Sequence, residues 1–176
     1  MFSAFAYDME ALALKEDAQQ LQAMGHFEAA LQLMLKSVDI REHSHTLCLS
    51  LSELGELYLD MRMFSRAEAA AHRMLDEAGR FDTAQQIRIA EEILEHIGSE
   101  REHGLEHGAA VRLRGLTRRP ELNGKDGIVR GRHRESGRFY IDVGASRLLI
   151  LRKHLAVPVE DLPADGDEDP IQSAIE

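Results

Sequence analysis

Apolar residues recur along positions 1–107 at intervals of three, four and seven, the period of helices buried on one side. The clearest stretch is Leu51-Ser-Glu-Leu54-Gly55-Glu-Leu-Tyr58, where Leu51, Leu54 and Tyr58 sit at i, i+3 and i+7 on one stripe. Gly55 and, further on, Ala67 carry almost no side chain, so two antiparallel helices can approach closely where they cross. The spacing occurs twice. Gly25-His-Phe27-Glu-Ala-Ala30 matches Arg62-Met-Phe64-Ser-Arg-Ala67, and Phe27 to Phe64 and Ala30 to Ala67 are both 37 residues apart. In the first copy Asp17 and Ala18 stand where the second has Leu54 and Gly55, while Gly25 keeps a glycine at the turn between helices. In the second copy Arg62 takes the place of that glycine. A further helix is predicted from residue 82, with Asp82 or Thr83 as its cap before Ala84-Gln-Gln-Ile-Arg-Ile.

From Gly108 the period changes. Val111 and Leu113 alternate with Arg112 and Arg114, the pattern of a half-buried strand. Turn clusters at Pro120-Glu-Leu-Asn-Gly124 and Glu135-Ser-Gly137 bound short β-prone runs at 127–130, 139–143 and 147–151, and Leu155-Ala-Val157 adds a fifth. Five short strands in some fifty residues predict a small closed barrel, since closure removes exposed edges.

The Leu54-Gly55, Tyr58, Phe64 and Ala67 pattern resembles a tetratricopeptide hairpin. The usual period of that repeat is about 34 residues, so the three residues His45 to Leu47 read as an insertion in the link. The second half is similar to a Src-homology-3-like (SH3-like) barrel in three segments: Val111-x-Leu113-x-Gly-Leu116, Pro120-Glu-Leu-Asn-Gly-Lys-x-Gly127-x-Val129 and Gly137-Arg-Phe139-x-Ile141-x-Val143. Leu151-Arg-Lys-His-Leu155 completes the likeness, and Gly124-Lys-Asp-Gly127-Ile-Val129 also resembles the KOW motif of ribosome- and transcription-associated barrels. These resemblances imply a multidomain α and β chain. Residues 1–107 would be an all-α tetratricopeptide-like (TPR-like) domain, with units near 11–44 and 48–81 and a capping helix from 82. Residues 108–158 would be a five-stranded SH3-like barrel, and 159–176 an acidic tail. Repeat arrays generally need three or more units to bury a continuous core. The aromatic start (Phe2, Phe5, Tyr7), the barrel or a second copy of the chain is therefore expected to cover an open end.

Charge divides the chain at the same places. The net charge of −10 conceals 9 Lys/Arg against 20 Asp/Glu in residues 1–108, 12 against 4 in 109–158, and none against 7 in 159–176. An acidic helical part is followed by a basic part and an acidic tail whose composition predicts disorder. Cys48 is the single cysteine, so no disulfide framework can form within one chain. The first ten residues lack a positive charge and no apolar run approaches a membrane span of about 20 residues. A cytoplasmic protein without a leader or membrane segment is expected.

The tetratricopeptide resemblance implies that the first helix of each hairpin lines a concave groove. Its positions would be Leu12, Lys15, Gln19 and Gln22 in the first unit, Leu49, Ser52, Glu56 and Leu59 in the second, and Thr83, Gln86, Ala90 and Ile93 in the third. That mixture suits a peptide or helix laid in a groove, or the barrel packed against the array. Only Lys15 is basic among them, and Glu53 and Glu56 would repel a partner's terminal carboxylate, so a chaperone-tail clamp is not expected.

On the barrel, Arg112, Arg114, Arg130, Arg132, Arg138 and Arg147 lead a concentration of twelve basic residues. Such a face suits an acidic protein surface or a nucleic-acid backbone. Phe139 and Tyr140 are its only aromatics, too few for base stacking or a proline-rich ligand. The tail is expected to fold back on the arginines or simply to solubilise. His96, His103 and His107 share a helical face only if the helix runs through Gly98 and Gly104, and no zinc-protease spacing is present. No nucleophile elbow, phosphate-cradling loop, Cys-x-x-Cys pair or dinucleotide fingerprint occurs, so neither catalysis, metal nor cofactor is expected. The expected role is a non-catalytic protein–protein adaptor or scaffold with protein partners. The alternative is an RNA- or ribosome-binding protein acting through the basic barrel.

Overall fold

The computed structural model describes residues 3–81, 83–101 and 105–158. Phe2, the cap candidate Asp82, His103, Gly104 and the acidic tail 159–176 lie outside the described residues, as do the side chains of Phe5 and Tyr7. Five helices come first: α1 (Ser3–Ala23), α2 (Phe27–Ile40), α3 (Leu47–Asp60), α4 (Phe64–Phe81) and α5 (Ala84–Arg101). A five-stranded antiparallel sheet follows: β1 (Ala110–Leu113), β2 (Asp126–Arg132), β3 (Phe139–Val143), β4 (Ser146–Ile150) and β5 (Leu155–Ala156).

The helices pack as the apolar stripes require. α1 pairs with α2, α3 with α4 and α4 with α5, while α1, α3 and α5 touch in succession as one layer. Leu51, Leu54 and Tyr58 are buried, as are Phe27, Ala30, Phe64 and Ala67 at the two repeated positions. Gly55 fulfils its expected part: a Cβ there would stand 3.3 Å from Ile93 Cδ1 and 3.9 Å from the Cβ of Ala70. In the first copy Ala18 does the same duty, fully buried, while Asp17 faces solvent. The lengthened link between α2 and α3 is tied by side chains. Arg41 donates to Asp8 (3.2 Å) and Ser50 (2.9 Å), and Thr46 donates to Asp8 (2.8 Å). α5 continues through Gly98 to Arg101.

Strand order is β4-β3-β2-β1-β5. β1 to β4 form a meander, and β5 returns beside β1, with Leu113 opposite Leu155. Backbone pairing leaves the sheet open, with β4 and β5 as its edges, in place of the closed barrel expected. β5 spans only two residues and pairs with β1 alone. Inward-facing Val111, Leu113, Val129, Phe139, Ile141, Ile150 and Leu155 make one apolar cluster, to which Leu105 from the link after α5 also belongs.

Tyr140 belongs to the other core. It leaves β3 on the opposite face from Ile141 and enters the helical cluster, where its ring meets Phe27 edge-on at 5.0 Å. Such aromatic pairs add about 0.5–1.5 kcal/mol beyond the area they bury. A β-bulge between Val129 and Gly131 sets the strand down on the helices at the same place. There is no room for a side chain at Gly131: a Cβ would lie 2.7 Å from the Asp60 carbonyl oxygen and 2.8 Å from Phe27.

These contacts separate two glycine substitutions. Gly131→Ala forces its methyl group against the Asp60 backbone carbonyl and the Phe27 ring and is expected to cost about 1–3 kcal/mol in urea unfolding. At Gly98, a helical position with open space around the missing Cβ, alanine is expected to stabilise by about 0.5–1 kcal/mol.

Candidate partner-binding groove

Two adjoining cavities, about 310 and 390 Å³, lie along the α1–α3–α5 layer. The first is bounded by Gln19 and Gln22 of α1, by Glu53, Glu56 and Asp60 of α3, and by Arg132, Arg134 and Tyr140 from the sheet. The second runs from Glu56, Leu59 and Asp60 to Ile89, Glu92, Ile93 and Glu100 of α5, and also meets Arg132 and Arg134. Among the predicted groove positions, Gln19, Gln22, Glu56, Leu59 and Ile93 line these cavities. Lys15 is engaged with Glu53. Ser52 and Gln86 are half-buried on α3 and α5 outside both linings, and Ala90 is fully buried in the helical core.

Arg134, from the loop between β2 and β3, crosses the groove between the two cavities. Its Nη1 donates to Glu56 Oε2 at 3.1 Å, while Nε and Nη2 reach the two oxygens of Asp60 at 3.3 and 3.2 Å. Gln22 donates to Asp60 from the other side. Burial pushes the Asp60 carboxyl above its ordinary range, because loss of water outweighs the Arg134 charge and the two side-chain hydrogen bonds. Arg134 itself is 58% exposed, whereas Asp60 is only 14% exposed.

A second cationic contact lies at the α3–α4 turn. Gly25 and Arg62, the matched turn residues, both adopt positive φ, +78° and +60°. Arg62 is thus a non-glycine residue in the left-handed region, and its side chain is 2% exposed. It donates to the Leu105 carbonyl, to the Glu100 carboxylate (2.6 Å) and to the Glu100 carbonyl (3.1 Å). Its guanidinium also lies against Phe64 (4.8 Å) and Phe139 (5.4 Å), one ring from each core. Glu100 receives Arg132 at 2.7 Å as well. Burial alone would raise its carboxyl, but the Arg62 hydrogen bond and the Arg132 charge hold it below the ordinary range. His107 sits nearby, with Nδ1 3.1 Å from the Met61 carbonyl and 3.0 Å from that of Arg130.

The basic face is largely committed to carboxylates of the same chain. Arg147 bonds Asp142 (2.7 Å), Glu28 (3.3 Å) and the Gly25 carbonyl (2.6 Å), and Arg130 bonds Asp142 (2.8 Å). Arg112 pairs with Asp126 at the surface (2.7 Å). Arg138 borders a cleft of about 610 Å³ with Arg118, Arg119, Leu149 and Leu151, and Arg114 is exposed on the β1 side. Neither Arg114 nor Arg138 has an ion pair among the described residues. Tyr140 is buried in the helical cluster and Phe139 in the sheet cluster, which leaves the basic face without an exposed aromatic.

Sequence reasoning missed the roles of Asp60, Arg134 and Tyr140. One signal bore on Asp60 and Arg134 in general terms: the opposite net charges of two adjoining parts of one chain. Among the described residues no helix is long and apolar enough to cross a membrane, and no group of three metal-ligating side chains occurs. No family model, curated protein or solved structure matches this chain.

Two measurements probe the Arg62 contact. Arg62→Ala leaves the Leu105 carbonyl without its donor and Glu100 with Arg132 as its remaining arginine, and is expected to cost about 3–5 kcal/mol in urea unfolding; Arg62→Gly frees the turn yet is still expected to destabilise. For Glu100 the folded pKa lies below the ordinary 4.5, so its contribution is complete above that pH and is lost as pH falls through the folded value. The urea midpoint should therefore drop on acidification below about pH 4.5, and less so in Glu100→Gln.

Proposed function

We propose that this protein is a non-catalytic adaptor. It holds a protein partner along the α1–α3–α5 face, with the sheet domain fixed across one part of that face. In this reading the helices are a short TPR-like array, and the sheet is an SH3-like unit carrying a KOW-like segment. The observation that carries it is the pair of open cavities running along one helical layer, lined by both apolar and polar side chains: Leu59, Ile89 and Ile93 beside Gln19, Gln22 and Glu56. Linings of that kind suit an extended or helical segment of another protein. The 37-residue recurrence of Phe27/Phe64 and Ala30/Ala67 supports the repeat reading, and the strand order supports the SH3-like one. The cytosol is the proposed location.

The RNA-binding alternative draws less from the molecule. Arg130, Arg132 and Arg147 are paired with Asp142, Glu100 and Glu28, and Tyr140 is buried under the helices. A phosphate backbone would have to compete with those carboxylates.

The test is crosslinking in cells with a photoreactive residue at Leu59 or Gln19, compared with one at exposed His72 on α4. A discrete partner crosslinked from the groove positions and absent from His72 supports the adaptor. Leu59→Arg should remove that product while leaving the circular dichroism and the unfolding midpoint unchanged. Equal labelling from His72, or none from the groove, would sink the proposal.

A further inference from the structure

Building on the groove reading, we infer that the occupant is a cationic peptide segment whose arginine or lysine takes the place of Arg134 between Glu56 and Asp60. Arg134 is then a ligand the chain supplies to itself. Its guanidinium makes three contacts under 3.4 Å to two carboxylates, the forked geometry in which a free arginine side chain is held best. The same two carboxylates line both cavities, and Arg134 stands on the boundary between them. Withdrawing that side chain uncovers Glu56 and Asp60 to both cavities, which together extend from Gln19 to Ile93 with Arg132 still beside them.

Three further observations favour exchange. Arg134 lies in the turn between β2 and β3, outside the paired strand residues, so it can swing away while the hairpin hydrogen bonds from His133 N to Arg138 O (2.7 Å) and from Gly137 N to His133 O (2.9 Å) persist. Its neighbours Arg132 and Arg62, by contrast, are tied to Glu100 and hold the sheet in place without it. In the first cavity, Glu53 keeps one enclosed oxygen, Oε2, with no hydrogen-bond partner, while its other oxygen engages Lys15. The enclosed oxygen adds negative charge behind the seat without being open to it, and Leu59, Ile89 and Ile93 would take apolar side chains of the incoming segment in the second cavity. An acidic segment has no group to replace Arg134 and would be set against the carboxylates of Glu53, Glu56 and Asp60, so it would be refused.

The test uses the full chain and a fluorescein-labelled, amidated tetra-arginine peptide, read by anisotropy at low salt. Arg134→Ala, which removes the competing guanidinium, should tighten binding about fivefold, as expected for release of a part-exposed ion pair. Glu56→Gln should weaken it about tenfold, and Asp60→Asn at least as much. Glu91→Gln with Glu95→Gln changes more charge on exposed α5 positions outside the cavities and should move affinity less than twofold. Glu56 is half-exposed, so its variant remains informative even if Asp60→Asn disturbs the fold. Unchanged affinity in Arg134→Ala, or equal losses in the seat and control variants, would overturn the inference. A crosslinked partner at Leu59 with no tetra-arginine binding would overturn the cation seat and leave the adaptor standing; loss of the crosslink itself would remove both.

Discussion

The arrangement of the two halves depends on one buried charge. Arg62 sits at a turn whose counterpart in the first helical pair is Gly25, and holding a side chain in the left-handed region costs roughly 1–3 kcal/mol. A buried guanidinium is costlier still unless it is paired and its donors are filled. Both demands are met from outside the helical hairpin, by the Leu105 carbonyl and by Glu100, with Phe64 and Phe139 closing over the flat faces. The turn is therefore completed by α5 and by the link that leads into the sheet. Arg132, His107 and Tyr140 then add to an alignment that Arg62 has already set.

Charge separation along the chain takes on a different meaning once the contacts are known. The arginines of the sheet do not form one free cationic face, because the acids of the helical part answer several of them: Glu28 for Arg147, Glu56 and Asp60 for Arg134, Glu100 for Arg132. These pairs differ in kind. Arg62 is itself enclosed and meets a mostly shielded Glu100, while Arg134 is largely exposed and bridges a half-exposed Glu56 and a shielded Asp60. Shielded pairs fix geometry, and exposed ones can be exchanged at small cost.

How far the sequence foretold this follows from where each signal resides. Helices and strands were legible because burial on one side writes a period into the chain, and the five short runs match β1 to β5 closely. Gly55 was legible because a missing side chain has one simple use at a helix crossing. Sheet closure was not, since it depends on whether a two-residue β5 can reach β4, a matter of tertiary geometry. Tyr140 and Phe139 are adjacent in sequence and go to different cores, which alternation allows but cannot assign when both sides of a strand are covered. Among the residues that the tetratricopeptide resemblance placed on a groove, Gln19, Gln22, Glu56, Leu59 and Ile93 line the two cavities. Arg134 was not foreseen there, because only the β-bulge at Gly131 and the hairpin beyond it bring that side chain over α3.

Arg62 also bears on the order in which the chain acquires its form during synthesis. Its partner carbonyl lies 43 residues further on, and Phe139 further still. Helices α1 to α4 leave the ribosome with a guanidinium at their turn that has no mate, so the hairpin must wait with Arg62 in water and that turn unset. Translation of α5, then the link and then β3 delivers Glu100, the Leu105 carbonyl and Phe139, the groups that let the side chain withdraw. The helical half, although made first, is in this sense finished last, and a nascent chain halted before residue 105 would present a surface that the completed protein conceals.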